Sequence, residues 1–246
     1  MKIVIKIILL TGILGYLIFA FWKLSLKEEQ RMCQGVEIII EDSASNFVNK
    51  QFVENIILQT KCPIKDINIK DIEVKTIENC IQNCPYIDSV ACYYTSTNLL
   101  CIRVLTRKPV LHVMSKDGEN YYMDINGNDM PTNIFLQDLC LATGNISKEY
   151  AKENLVQIAV YINNTPPWNK EIQQIYVKDP KHIEFIPSTG SHTVIIGEPT
   201  DIEDKLNRLQ NFYQEGLNKT GWNKYSTINL NYANQIVCTK QKQNKK

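Results

Sequence analysis

A chain of 246 residues with 44% hydrophobic content can build one large domain or two small ones with real cores. A formal net charge of +1 supplies no global field for nucleic acid or acidic substrates. Eight cysteines, at positions 33, 62, 80, 84, 92, 101, 140 and 238, include no CxxC pair; several, such as Cys92 and Cys101, sit on apolar faces as small buried hydrophobes do, and disulfide pairing stays open.

The first 24 residues decide the compartment. Positions 3–24 are apolar except for Lys6 and Lys23 near the two ends. A helix of this length spans the roughly 30 Å hydrocarbon layer, and both lysines can snorkel to its surfaces. Tyr16, Phe19, Phe21 and Trp22 weight one end with aromatics, as interfaces prefer. The run ends without the small-residue pair that a signal peptidase needs, so it reads as an uncleaved anchor. Charge is balanced on the two sides: Lys2, Lys6 and the amino terminus stand against Lys23, Lys27 and Arg31. Long domains translocate largely regardless of charge. The expected arrangement is a cytoplasmic tail at 1–6, a transmembrane helix at 3–24, a polar stalk at 25–33 and an extracytoplasmic head.

The head opens with a β-rich run at 36–41, broken at 43–46. Asn49 can cap a helix whose apolar face is Val53, Ile56, Ile57 and Thr60, with Pro63 as its stop. Val74, Ile77, Ile81 and Cys84 define a second helix, stopped by Pro85. Two strands follow: Val90, Cys92 and Tyr94 alternate, residues 96–98 turn the chain, and Leu100, Ile102 and Val104 alternate back. A hairpin and an outer strand covered on one face by two helices bury one small core. This β-α-α-β-β order, over 34–108, is that of a POTRA domain.

After Arg107, Lys108 and Pro109 the pattern turns mostly β. Strands at 110–114 and 121–123 flank the turn pair Asp117 and Gly118, and Asn126 with Gly127 marks a second turn. Residues 155–162 read as a short helix stopped by Pro166 and Pro167. Strands are predicted at 172–177, 183–186 and 193–196. Thr200 and Glu203 have capping-box spacing and open a helix with Ile202, Leu206, Leu209 and Tyr213 on one side, ending near Gly216. The last strands fall at 227–232 and 235–239. The fold class is α+β: one transmembrane helix, the POTRA-like domain, then a mostly antiparallel β domain with flanking helices at 109–240. A basic tail at 241–246 reads as a solvated terminus.

Chemistry is sparse. His182 and His192 flank Glu184, a thin metal site without a third ligand, and Cys80 with Cys84 lacks the rest of a zinc tetrad. No GxSxG, HExxH, P-loop or GxGxxG occurs. The expectation is no enzyme, no cofactor, no metal, no nucleic acid and no small-molecule substrate. Three Asn-x-Ser/Thr triplets, at Asn145, Asn163 and Asn218, keep a type II membrane enzyme of the secretory pathway as an alternative.

Several stretches resemble the FtsQ/DivIB family. Asn83, Cys84, Pro85, Tyr86 and Ile87 are similar to the segment leading into its POTRA hairpin. Arg107, Lys108, Pro109 and Val110 look like the exit from it. Residues 121–124 with Gly127, Met130 and Pro131, and later Thr143 and Gly144, match its β domain. Residues 183–187 with Gly190, 194–197 with the following Lys205 and Leu206, and Tyr225 with 228–232 continue the likeness. Asn229 and Asn231 replace the usual acidic and basic residues, and eight cysteines are many for this family.

The resemblance implies a non-catalytic scaffold of the bacterial inner membrane, with its head in the periplasm and enriched at the division septum. It implies recruitment of the FtsB–FtsL pair and later divisome proteins. The alternating last strands offer a physical route: a partner strand adding to an open sheet edge. The candidate partner-binding residues are Tyr225, Thr227, Ile228, Asn229, Leu230, Tyr232 and Ile236. A POTRA-bearing secretion or outer-membrane assembly factor is the other alternative.

Overall fold

The computed structural model describes residues 2–29, 31–41, 47–134, 136 and 139–241; in the first stretch, side chains are described for residues 10–23. The break expected at 43–46 and most of the basic tail lie outside the described residues. The chain divides into two compact units, Met1–Thr106 and Arg107–Lys246.

In the first unit, helix α1 (Lys2–Glu29) carries the apolar run. Leu10, Leu14, Leu17 and Phe21 are exposed along it. Among the described residues no helix is long and apolar enough to cross a membrane. Strand β1 (Gly35–Glu41) leads to α2 (Lys50–Gln59), where the Asn49 side chain accepts from the Phe52 N–H at 2.8 Å and caps the helix. The helix stops before Pro63, at a Thr60 cap followed by Lys61 at φ 55°. α3 (Val74–Gln82) buries Ile77 and Ile81. Strands β2 (Ile87–Tyr94) and β3 (Leu99–Thr106) pair antiparallel, and β1 joins the far side of β3 in parallel, giving the order β1-β3-β2. Leu100, Ile102 and Val104 are fully buried with Ile77 and Ile81. At about 1.5–3 kcal/mol for each fully buried aliphatic side chain, this cluster is the main source of the unit's stability.

The second unit is one nine-stranded sheet of order β12-β11-β10-β9-β8-β7-β4-β5-β6. Its strands are β4 (Pro109–Ser115), β5 (Asn120–Asp124), β6 (Asp129–Pro131), β7 (Cys140–Gly144), β8 (Ile172–Asp179), β9 (His182–Pro187), β10 (Thr193–Gly197), β11 (Tyr225–Asn229) and β12 (Val237–Lys240). Five neighbouring pairs are antiparallel. Three, β4 with β7, β7 with β8 and β10 with β11, are parallel. The sheet is therefore more mixed than the sequence suggests: helical crossovers return the chain parallel from β7 to β8 and from β10 to β11, and the β5–β6 excursion does so from β4 to β7.

The β5–β6 turn is built around Asp124, whose buried carboxylate accepts from the N–H groups of Asn126 (2.9 Å) and Asn128 (2.8 Å) beside the Arg107 guanidinium at 3.7 Å. Gly144, at φ +113°, ends β7 hard against the backbone of Val177, where a Cβ would collide with the carbonyl oxygen.

The crossover after β7 differs from the expected helix at 155–162. It starts at Lys148, where the Ser147 hydroxyl accepts from the Tyr150 N–H, in α4 (Lys148–Tyr150). It then passes a π-helical turn, Ala151–Leu155, into α5 (Val156–Asn164). A short α6 (Trp168–Glu171) buries Trp168. The second crossover, α7 (Ile202–Phe212), begins where expected but without the capping box. Asp201 sits at the cap in the left-handed region, φ 52°, and its side chain makes no capping bond. Nor does it end at Gly216: a π turn, Tyr213–Leu217, and α8 (Asn218–Thr220) carry it to Gly221 at φ +96°. Ile158, Ile162, Leu206, Leu209 and Leu217 pack one face of the sheet with Ile175, Phe185 and Ile196.

Candidate functional site

The terminal hairpin departs from the expected strands at 227–232 and 235–239. β11 stops at Asn229, whose Oδ1 accepts from the Asn231 N–H at 2.9 Å and turns the chain out of the sheet. Leu230 still donates its N–H to Ile195 O at 2.9 Å, while residues 231–235 are exposed. β12 then returns at Val237 and ends the sheet among the described residues.

The seven candidate residues fall into distinct settings. Ile228 and Leu230 are fully buried core residues: they hold β11 in place, and their side chains offer nothing to a partner. Thr227 and Asn229 are half-buried on the sheet's other face, inside the ladder, opposite Thr193 and Ile195 on β10 and Thr239 and Val237 on β12. The Tyr225 ring lies against Phe212, with centroids 6.0 Å apart, and Ile236 packs partly buried on the core. Tyr232 is exposed at 49%, but it lies in the connection, so it does not continue the face of Ile228 and Leu230. The open edge belongs instead to β12, whose Val237 is 46% exposed.

The hydrogen-bond pattern fixes which groups of β12 face outward. The Gln241 N–H donates to Lys224 O at 3.0 Å, and Thr239 O accepts from the Ser226 hydroxyl at 3.3 Å. Backbone polar groups alternate sides along a strand. Val237 and Thr239 therefore turn theirs toward β11, and Cys238 and Lys240 turn theirs toward the open edge. The Cys238 side chain packs partly buried over the core, and that burial raises the pKa of its thiol. β12 thus presents an exposed valine and the outward N–H and C=O groups of Cys238 and Lys240, and the exposed Tyr232 lies in the connection before it. The sequence placed a strand here but chose β11 as the edge, because nothing local shows that α7 inserts β11 between β10 and β12.

His182 and His192 have partners of their own. His182 Nδ1 bonds Asp179 at 2.7 Å, while His192 is buried with Nε2 on the Tyr213 hydroxyl at 2.8 Å. Among the described residues no group of three or more His, Cys, Asp or Glu side chains could hold a metal ion. No disulfide joins any two of the eight cysteines, and burial pushes the thiols of Cys92 and Cys140 up to about 11 and about 12, the behaviour of small core hydrophobes.

A small β-α-α-β-β unit is followed by a mixed nine-stranded sheet that β12 ends among the described residues. A family described as FtsQ/DivIB, C-terminal related, matches residues 108–239, more than half of the chain, and a POTRA-like domain matches residues 31–105. The chain belongs to the FtsQ/DivIB family through this C-terminal related domain. At family level it is a cell-division scaffold, associated with the divisome and the membrane. No curated protein matches the chain.

Proposed function

We propose that this protein is a non-catalytic scaffold of the bacterial inner membrane, anchored by residues 3–24, that captures the FtsB–FtsL pair by strand addition to β12. The carrying observation is the open edge itself: β12 ends a nine-stranded sheet, and its alternation turns the N–H and C=O groups of Cys238 and Lys240 outward. Main-chain hydrogen bonds give a partner strand its register. Tyr232 and Val237 supply exposed apolar surface beside it. The exposed apolar flank of α1 supports the anchor, and the extracytoplasmic head follows from its length.

Lys240→Pro is the clean probe. Lys240 is exposed and its N–H faces the open edge, so proline removes an outward donor while the β11–β12 ladder stays. The expected result is a loss of FtsB–FtsL capture of about tenfold or more in a pull-down, beside a thermal melt close to wild type. Unchanged capture by folded Lys240→Pro and Cys238→Pro contradicts the docking edge. Depletion in cells should give filaments; normal septation contradicts the division role.

A further inference from the structure

The edge strand is short, and a four-residue strand at the end of a sheet frays readily. The connection before it, 231–235, is exposed, and Asn234 stands at φ 59°. One side chain from outside the hairpin holds this connection. Arg208, on α7, donates from Nη1 to Tyr232 O (2.9 Å) and Gln235 O (3.1 Å), and from Nη2 to Leu230 O (3.1 Å). Its Nε donates to Asp204 Oδ2, one turn earlier on the same helix, at 3.0 Å. Only 19% of the Arg208 side chain is exposed.

Resting on the reading of β12 as the docking edge, we infer that Arg208 is its positioning residue: the guanidinium clamps the β11–β12 connection and presents β12 ready for a partner strand. The planar fork suits the task. Three carbonyls, those of the buried Leu230 and of the exposed Tyr232 and Gln235, converge on one group, and its fixed geometry selects one loop conformation. A charge-assisted bond is stronger than a neutral one, and Asp204 fixes the rotation of the fork. Without the clamp, β12 is held by its ladder with β11 alone, and a partner must order the loop as well as bind it, which weakens capture. Arg208 touches no partner in this arrangement; it acts through the backbone of 230–235.

The test uses the full chain in detergent or nanodiscs, with wild type, Arg208→Ala, Arg208→Lys and, as a control of the docking edge, Lys240→Pro. Three readouts are taken: the thermal melt, amide hydrogen exchange resolved over 230–240, and capture of the FtsB–FtsL pair. The inference expects Arg208→Ala to speed exchange in 230–240 about tenfold, to leave exchange in β8 and β9 unchanged, and to weaken capture about three- to tenfold. Arg208→Lys should recover little of either, because an ammonium cannot reproduce the fork. Unchanged exchange in 230–240 overturns the inference whatever capture does. Faster exchange with unchanged capture also overturns it. In that case Lys240→Pro separates the two failures: lost capture by that variant leaves the docking edge standing and removes only Arg208, while unchanged capture by both removes the edge as well.

Discussion

The nine-stranded sheet has two ends, β6 and β12, and they are finished differently. β6 has three residues, its central Met130 is buried, and its last, Pro131, has no N–H to offer. Asp129 at its start is tied to Lys148 at 2.9 Å, an ion pair that holds the Asp129 carboxyl below its ordinary pKa. β12 has four residues, no proline, an exposed Val237 and two outward donors. Proteins blunt sheet edges because an unpaired ladder recruits other strands. Here one edge carries the blunting devices, while the other is kept open and braced from behind by Arg208. In the proposal made above, docking rests on a backbone pattern rather than on a cluster of special side chains, which is why no motif search finds it.

The largest effect should come from breaking β12's support. Asn229→Pro strikes β11, which is paired on both sides, with Ile195 and with Val237. Proline removes the Asn229 N–H from an interior ladder, a position that sheets do not tolerate, so the melt of the second unit should fall together with capture. A normal melt for this variant would mean that β11 is not interior. A smaller effect belongs to Tyr232→Ala. The ring is exposed and its carbonyl, not its side chain, is held by Arg208. If the ring anchors the partner, capture should weaken by about 1–3 kcal/mol with no change in melt; wild-type capture would leave the backbone as the sole determinant.

The smallest effect concerns pH. His192 is buried between Tyr213 and Trp222, its Nδ1 has no hydrogen-bond partner among the described residues, and burial lowers its pKa from the ordinary 6.5. A neutral buried histidine binds a proton more weakly folded than unfolded. Its contribution to stability is fully present above about 6.5 and declines as pH falls from there toward the depressed folded value. His192→Phe should flatten the pH dependence of the melt in that window. An unchanged slope would show that His192 is not the group titrating.

Much of this architecture could be read in the chain. The β-α-α-β-β order followed from Asn49 as a cap, the spacing of Ile77 and Ile81, and the alternation across 90–104. The hairpin turns at Gly118 and Gly127 were equally local. What escaped has a common cause. β7, with Ala142, Thr143 and Gly144, is too short and small-residued to stand out, and it is a strand because β4 and β8 flank it. The π turns in the two crossovers leave no periodic signal. The identity of the edge strand is topological: the alternation of 227–232 was visible, but its place between β10 and β12 depends on where α7 returns the chain. Leu230 illustrates this, an apolar residue at the right spacing for a partner face that is instead sealed in the core.

The central claim is that β12, through its outward groups, is where the partner strand adds, and residue-resolved amide exchange on the free protein and on its FtsB–FtsL complex tests it most directly. In the free protein the N–H groups of Val237 and Thr239, which face β11, should exchange slowly, and those of Cys238 and Lys240 quickly. On complex formation Cys238 and Lys240 should become protected, with no new protection at β6. Protection that leaves Cys238 and Lys240 exchanging as in the free protein, while another strand edge slows, would contradict the account.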